Sequence, residues 1–210
     1  VGDLYYLVGG VRSGAVTSWL GTAFANDTTP TTLSNLIQEA ASSPVLANGV
    51  WFLPYLDGSG PPHRDPDDWG AWLGLRLKNQ RSDLIRAALE GIGYSARYLL
   101  EGLQKTTATP ISLLRSVGGG TQNSWLEELK TNIIGTPIEI PQVTDVSAQG
   151  AALIAAVGIG IFPNAETAVL QTDRVQQRFQ PSKELYTAYN DAYQSVFLHL
   201  YPLLHKIPIR

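Results

Sequence analysis

Apolar residues recur at every third or fourth position through much of this chain, and the breaks in that rhythm divide it into elements. Residues 13–24 carry Ala15, Val16, Trp19, Leu20 and Phe24 at helical spacing, and residues 31–41 carry Leu33, Leu36 and Ile37 on one side. The longest such run follows Ser82, read as an N-cap, with Asp83 complementing the dipole in the first turn. Ile85, Leu89, Ile92, Ala96, Leu99 and Leu103 then repeat along one face. Gly91 and Gly93 inside that helix cost about 1 kcal/mol each relative to alanine, which predicts close packing against a neighbour. Helices are also predicted over 124–134, closed by Gly135-Thr136-Pro137, and over 146–157, capped by Thr144 or Asp145. A weak helix is predicted over 164–170. A closing helix over 182–204 is expected to bend or end at Pro202.

Between the helices lie shorter apolar stretches that read as strands: 1–8, 50–55, 70–75, 111–117 and 138–140. Residues 174–180 are polar and read as an exposed segment. The alanines of 146–157, with Gly150 among them, predict a helix pressed tightly on a sheet, and packing is the reading for Gly150 as for Gly91 and Gly93. Strands alternating with helices, without an internal repeat or a long linker, predict one α/β domain.

Val117-Gly118-Gly119-Gly120-Thr121-Gln122-Asn123-Ser124-Trp125 joins the strand over 111–117 to the helix after it. A strand, a turn without side chains and a helix N-terminus together make an anion-binding arrangement. Backbone N–H groups point outward, the helix dipole favours negative charge, and a ligand can approach closely where no Cβ intervenes. A plain turn in an α/β domain reads equally well from these residues alone.

The chain has 210 residues, 44% of them hydrophobic, which is enough for one substantial core or two small ones. Its net charge is −3, with 15 Lys and Arg and no basic block, so no nucleic-acid or anionic-membrane partner is expected. No apolar run approaches a membrane span. Cysteine is absent, which removes disulfides, thiolate metal sites and thiol nucleophiles, and fits a cytoplasmic protein. Methionine is absent as well, including at position 1, so the chain is expected to begin inside a longer product.

The phosphate-binding pattern Gly-x-x-x-x-Gly-Lys-Ser/Thr does not occur, nor does a Gly-x-Ser-x-Gly elbow. His63-Arg64-Asp65 imitates a protein-kinase catalytic loop but lacks the partner motifs, and reads as a solvated turn. His199 and His205 fall on different helix faces, against a metal pair. Asp57, Asp65, Asp67 and Asp68 sit in a loop rich in proline and glycine. Turn-making and solubility are favoured for them over Mg²⁺ binding, so no metal site and no catalytic residue is assigned.

One longer pattern goes further. Gly70-Ala71-Trp72-Leu73-Gly74-Leu75, seven residues, then Asp83-Leu84-Ile85-Arg86-Ala87-Ala88-Leu89-Glu90 resembles the second motif of the FGGY family of carbohydrate kinases without a mismatch. That family includes xylulokinases, glycerol kinases, gluconate kinases and ribulokinases. Leu53-Pro54-Tyr55-Leu56 resembles its segment ahead of that motif, and 117–126 resembles its adenosine-contacting turn. Residues 150–160 resemble its small-residue helix, and Phe179-Gln180-Pro181-Ser182 with the tyrosine-rich last helix resembles its ending.

The resemblance covers nearly the whole chain. It implies an α/β, actin-like (ribonuclease H-like) domain with a mixed sheet and helices on both faces. Residues 1–210 would then be the C-terminal nucleotide-binding domain, the N-terminal sugar-binding and catalytic domain being absent. It implies ATP and Mg²⁺ as cofactors, with a sugar or polyol substrate held mainly by that absent domain, and a homodimer as one assembly. Carried over, Gly70 lies beside the nucleotide phosphates, and Gly119, Gly120 and Thr121 line the adenosine and α-phosphate side. Gly118 and Gly119 also admit a reading as turn geometry. Ser124 falls where glycerol kinases use an asparagine on the nucleotide, with Asn123 as a substitute contact. The activity implied is ATP-dependent phosphorylation of a sugar or polyol, a pentulose such as xylulose being the default. The alternatives are a nucleotide-binding module without catalysis and a structural protein of the actin type.

Overall fold

Helix α3, Arg81–Thr107, packs against α1 (Ser13–Ala25), α2 (Pro30–Ala41) and β1 (Trp51–Leu53), which precede it in the chain together with β2 (Ala71–Leu73), and against the later helix Ser124–Ile134. After it come β3 (Leu114–Arg115), α4 (Ser124–Ile134), β4 (Ile138–Pro141), α5 (Val146–Gly158), α6 (Ala165–Thr172), β5 (Val175–Phe179), α7 (Lys183–Ala192) and α8 (Leu198–Leu204). The computed structural model describes residues 10–207 apart from Arg12 and Pro62, and the strand expected over 1–8 lies outside the described residues.

Among the described residues two small sheets form. β1 and β2 pair antiparallel, with Phe52 opposite Trp72. β3, β4 and β5 make a mixed sheet, β3 parallel and β5 antiparallel to β4. The core gathers around α3: Val16 and Leu20 from α1, Leu36 and Ala40 from α2, Phe52 and Leu53 from β1, Ile133 from α4, and Tyr189, Tyr193 and Phe197. Phe52 and Trp72 rings lie 4.5 Å apart, and the Trp72 indole N–H donates to Leu84 O at 3.1 Å, so the two-stranded sheet is fastened to the first turns of α3.

The middle of α3 is buried on every side and not along one face. Ile85, Leu89 and Ile92 are buried as expected, but so are Arg86, Glu90, Tyr94 and Arg97 on other faces. The close approach expected at Gly91 and Gly93 is present. A Cβ at Gly91 would overlap the Phe52 carbonyl oxygen, and one at Gly93 would lie 2.8 Å from Ile133 Cδ1. Ser82 is not the N-cap. Gln80 takes that position because the Asp83 carboxylate reaches back to its N–H at 2.9 Å, which starts the helix earlier.

Other expectations are corrected. α5 has no buried residue, and a Cβ at Gly150 would meet nothing within 4 Å, so neither the helix nor its glycine is pressed on a sheet. Its packing partner is α6, which leaves its alanines open on the surface. Residues 174–178 and 180 are exposed as expected, but Phe179 is buried, and Val175–Phe179 form strand β5, because pairing to β4 is made by the backbone and needs few apolar side chains. The last helix is interrupted by a π-helical turn at Tyr193–Phe197, ahead of Pro202. Among the described residues, no helix is long and apolar enough to cross a membrane.

Candidate functional site

The glycine turn is delivered by β3. Leu114 N–H donates to Pro137 O and Ser116 N–H to Glu139 O, each at 2.9 Å, and hold this short strand against β4. Gly118 then takes φ 90°, ψ −176°, a backbone state that strains any side chain. Gly119–Gln122 form a 3-10 turn. Thr121 closes it: its N–H and its hydroxyl both donate to Gly118 O, at 3.2 and 2.8 Å, and its side chain is buried.

The three glycines differ in kind. Gly118 is fixed by its φ. Gly119 and Gly120 have ordinary φ, and a Cβ on either would meet nothing within 4 Å. Neither conformation nor internal packing asks for glycine at these two positions. The turn is exposed through Gly120, with open space where side chains would stand.

Asn123 and Ser124 have distinct roles. Asn123 Oδ1 accepts from Leu126 N–H at 3.0 Å and caps α4, so this oxygen is committed inside the chain. Ser124 is the first helical residue and is exposed. Behind the turn, Glu127 is fully buried. Its Oε1 accepts from Ser116 Oγ at 3.1 Å and from Lys130 Nζ at 2.5 Å, whereas Oε2 is buried without a hydrogen-bond partner. Further along the sheet Glu139 is buried between Arg115 and Arg178. The Asp173 carboxylate, 2.5 Å from Arg115, raises that guanidinium's pKa above its ordinary value.

Gly70 has a reason of its own to lack a side chain. A Cβ there would lie 2.5 Å from Leu56 Cδ2 and 3.0 Å from Leu53 O, so the residue lets the loop after β1 fold back over the start of β2. The absence of a Cβ at 70 thus has a packing reason beside any approach of a phosphate.

Residues 117–125 contain no titratable side chain. The turn can therefore hold and orient an anion through its backbone, but it cannot move a proton. No carboxylate of this turn is open to a cation either, since Glu127 is buried and ion-paired with Lys130. A cavity of about 210 Å³, lined by Arg97, Glu101, Gln104, Gly135 and Tyr186 among others, lies at the opposite end of α4, roughly 16 Å away along that helix. The glycine turn itself faces outward.

The aspartates of the 57–68 loop separate. Asp67 N–H donates to Asp65 Oδ1 at 2.9 Å, a local turn bond. Asp65 and Asp68 meet His205, just beyond α8, an approach that spacing along the chain does not foretell. In the 63–65 turn Arg64 is exposed, whereas His63 is half-buried: its ring stacks on Tyr98 and Tyr201, and burial lowers its pKa.

A sequence model of the FGGY family of carbohydrate kinases, C-terminal domain, matches residues 1–159. Among curated relatives, a glycerol kinase of Trichodesmium erythraeum is 40% identical over 136 residues, covering 65% of this chain and 27% of that protein. A xylulose kinase of Staphylococcus epidermidis is 30% identical over 201 residues, covering 94% of this chain and 40% of its own. Among solved structures, a ligand-bound xylulose kinase from Lactobacillus acidophilus superposes with a TM-score of 0.83 at 22% identity, over 94% of this chain and 39% of that one. A Plasmodium falciparum glycerol kinase with ADP superposes with a TM-score of 0.74 at 23% identity, over 90% and 37%. The chain thus spans between about a quarter and two fifths of the length of these proteins. The fold is the actin-like, ribonuclease H-like α/β fold of such kinases.

Proposed function

The chain belongs to the FGGY family of carbohydrate kinases, and from that premise we propose that it is the nucleotide-binding half of an ATP-dependent kinase acting on a hydroxyl of a sugar or polyol. One observation carries the reading: Gly119 and Gly120 have no need of glycine inside the chain, and the space beside them is open. A ligand backed against the turn supplies the missing reason. With its capped helix behind it, the turn offers N–H groups and a positive helix end to an anion.

In this reading Gly118, Gly119, Gly120 and Thr121 form the wall for adenosine and the α-phosphate, and Ser124 stands at its rim. Asn123 serves as the cap that holds the wall in place, and Gly70 serves the fold of the loop beside Leu56. Bound ATP supplies the phosphoryl group, and Mg²⁺ travels with the phosphates, since the turn offers it no carboxylate. Transfer to an aligned hydroxyl depends on positioning and charge neutralisation. The base that takes the hydroxyl proton, and most contacts to the acceptor, belong to an N-terminal domain outside this chain. A pentulose such as xylulose is the first acceptor to test, a cytoplasmic setting and a homodimer being part of the same proposal.

A second reading, a nucleotide-binding module without catalysis, is favoured by the lack of any titratable side chain in 117–125. Calorimetric titration of the chain with ATP and Mg²⁺, paired with a phosphorylation assay, separates the two. The kinase reading expects weak saturable binding and no phosphoryl transfer by the chain alone. Transfer should appear when an FGGY N-terminal domain is joined to it. Binding without transfer in the joined protein supports the module, and no binding at millimolar ATP overturns both.

A further inference from the structure

The loop between β1 and β2 and the end of α8 converge on three groups able to hold a cation. Asp65, Asp68 and His205 each present one ligand atom, and these atoms all lie within 4.8 Å of one another. His205 Nδ1 is 3.0 Å from Asp68 Oδ1, and its Nε2 is 3.9 Å from Asp65 Oδ2. Ligand atoms bonded to a tetrahedral cation at about 2.0–2.2 Å stand roughly 3.3–3.6 Å from each other. Only one ring nitrogen can bind the cation, so the three ligand atoms, up to 4.8 Å apart, would draw together by about an ångström to reach that spacing.

Asp68 supplies an independent sign. Its side chain is only 6% exposed, yet Oδ2 is buried without a hydrogen bond of acceptable geometry. Among the described residues, the ion-pair partner of both carboxylates is His205 alone. A buried carboxylate oxygen left without such a hydrogen bond is the condition a cation would relieve.

The surroundings hold the imidazole in place. Tyr201 stacks on His205 with ring centroids 5.2 Å apart and on His63 at 3.5 Å, and the Tyr201 hydroxyl lies 3.4 Å from His205 Nδ1. On the loop side, Ser59 N–H donates to Asp65 O at 2.8 Å, and Asp65 N–H donates to Ser59 Oγ at 3.1 Å. Ligand groups fixed by neighbours in this way bind a metal with little rearrangement.

We propose that Asp65, Asp68 and His205 form a site for a divalent transition-metal cation of the zinc class, which clips the end of α8 to the loop after β1. One imidazole with two carboxylates suits that class better than an all-oxygen site suits it, and solvent would complete the coordination. The site shares no residue with the glycine turn, so it stands or falls apart from the nucleotide reading.

Zn²⁺ titration of the intact 210-residue chain after chelator treatment, read by calorimetry, tests it. One ion per chain is expected, with an upward Tm shift of roughly 5–10 °C at a hundredfold excess over Kd. His205→Ala and Asp68→Asn should each weaken binding at least about tenfold, whereas His199→Ala should leave it unchanged. Co²⁺ in place of Zn²⁺ should give a visible ligand-field absorption that His205→Ala removes. Circular dichroism checks the fold, and Asp65→Asn on the loop repeats the test should either variant unfold. The absence of saturable Zn²⁺ binding, or binding indifferent to all three ligand substitutions, overturns the proposal.

Discussion

The backbone N–H of Leu46 donates to the Glu90 carboxylate at 3.2 Å, and Leu46 is the first of four consecutive residues with positive φ: Leu46, Ala47, Asn48 and Gly49. A left-handed turn of this kind costs roughly 1–2 kcal/mol for each residue that carries a Cβ. Buried acids on α3 hold it. Glu90 takes Leu46, and Asp83 accepts from the Asn48 side chain at 3.0 Å and from Ser43 Oγ at 2.6 Å. Glu90 also accepts from Arg86 Nε at 2.7 Å and from the Tyr189 hydroxyl at 2.9 Å, which ties the turn, α3 and α7 into one buried network.

Removing the centre of that network should be severe. Glu90→Ala leaves the Arg86 guanidinium buried without its counter-charge and frees a strained turn. A cost of about 3 kcal/mol is expected, a fall of roughly 10 °C in Tm. Glu90→Gln, which keeps an acceptor oxygen, should lose less. Urea denaturation of the two variants decides the matter, and a loss under about 0.5 kcal/mol for Glu90→Ala would remove the network from any account of stability.

Asp83 gives a pH dependence of definite sign. Burial works to raise its pKa, but the bonds from Ser43, Gln80, Asn79 and Asn48 outweigh it, so the folded value lies below the ordinary one. The unfolded chain then holds the proton more readily. Asp83's contribution is present above about pH 4 and is lost as the pH falls through the folded value. Glu90 has the opposite sign, because burial raises its pKa against the pull of Arg86. Comparing wild type with Asp83→Asn isolates Asp83. The stability gap between them should be constant from pH 7 to 5 and narrow below pH 4, and a gap undiminished at pH 3 would contradict the assignment.

These acids show what was and was not legible in the chain. The Gly70–Glu90 pattern marks Asp83 and Glu90, but nothing local tells that their partners are a left-handed turn and a tyrosine on α7. Helix starts near 124, 146, 164 and 182 were readable to within a residue or two, and Asp145 was one of two candidate caps, whereas Asn123, Asn164 and Ser182 prove to be caps only in the structure. β5 was not readable, since Val175-Gln-Gln-Arg-Phe179 becomes a strand only by pairing with β4. The glycine turn was placed correctly between strand and helix, but the separate reasons for Gly118, Gly119 and Gly70 needed coordinates. The meeting of His205 with Asp65 and Asp68 spans most of the chain and leaves no trace in any local window.

Asn123 separates a cap from a ligand contact. Its Oδ1 is held by Leu126 N–H, so Asn123→Ala should cost about 1 kcal/mol through loss of the cap, and Asn123→Ser should restore most of it. If ATP affinity follows stability, falling in the alanine variant and recovering in the serine one, the residue acts by holding the turn. Weak binding in the serine variant despite recovered stability would instead assign the Asn123 side chain a direct contact.

Alanine at three glycines distinguishes packing, accommodation and ligand approach. At Gly91 the added Cβ would strike the Phe52 carbonyl oxygen, a backbone atom of β1 with no rotamer to move, so a loss of about 2–3 kcal/mol is expected. At Gly93 the neighbour is the tip of Ile133, which can turn aside. The helix also gains about 1 kcal/mol of propensity there, so the net change should be small. At Gly120 the added Cβ meets nothing, and thermal stability should be unchanged. ATP binding should nevertheless weaken about tenfold in Gly120→Ala, equivalent to ~1.4 kcal/mol, if a nucleotide rests against the turn. Thermal melts and calorimetry on the same three variants give both readouts. Loss of ATP affinity in Gly120→Ala at constant Tm supports the nucleotide wall, and unaltered affinity there, with Gly91→Ala destabilised as expected, would move the nucleotide away from Gly120.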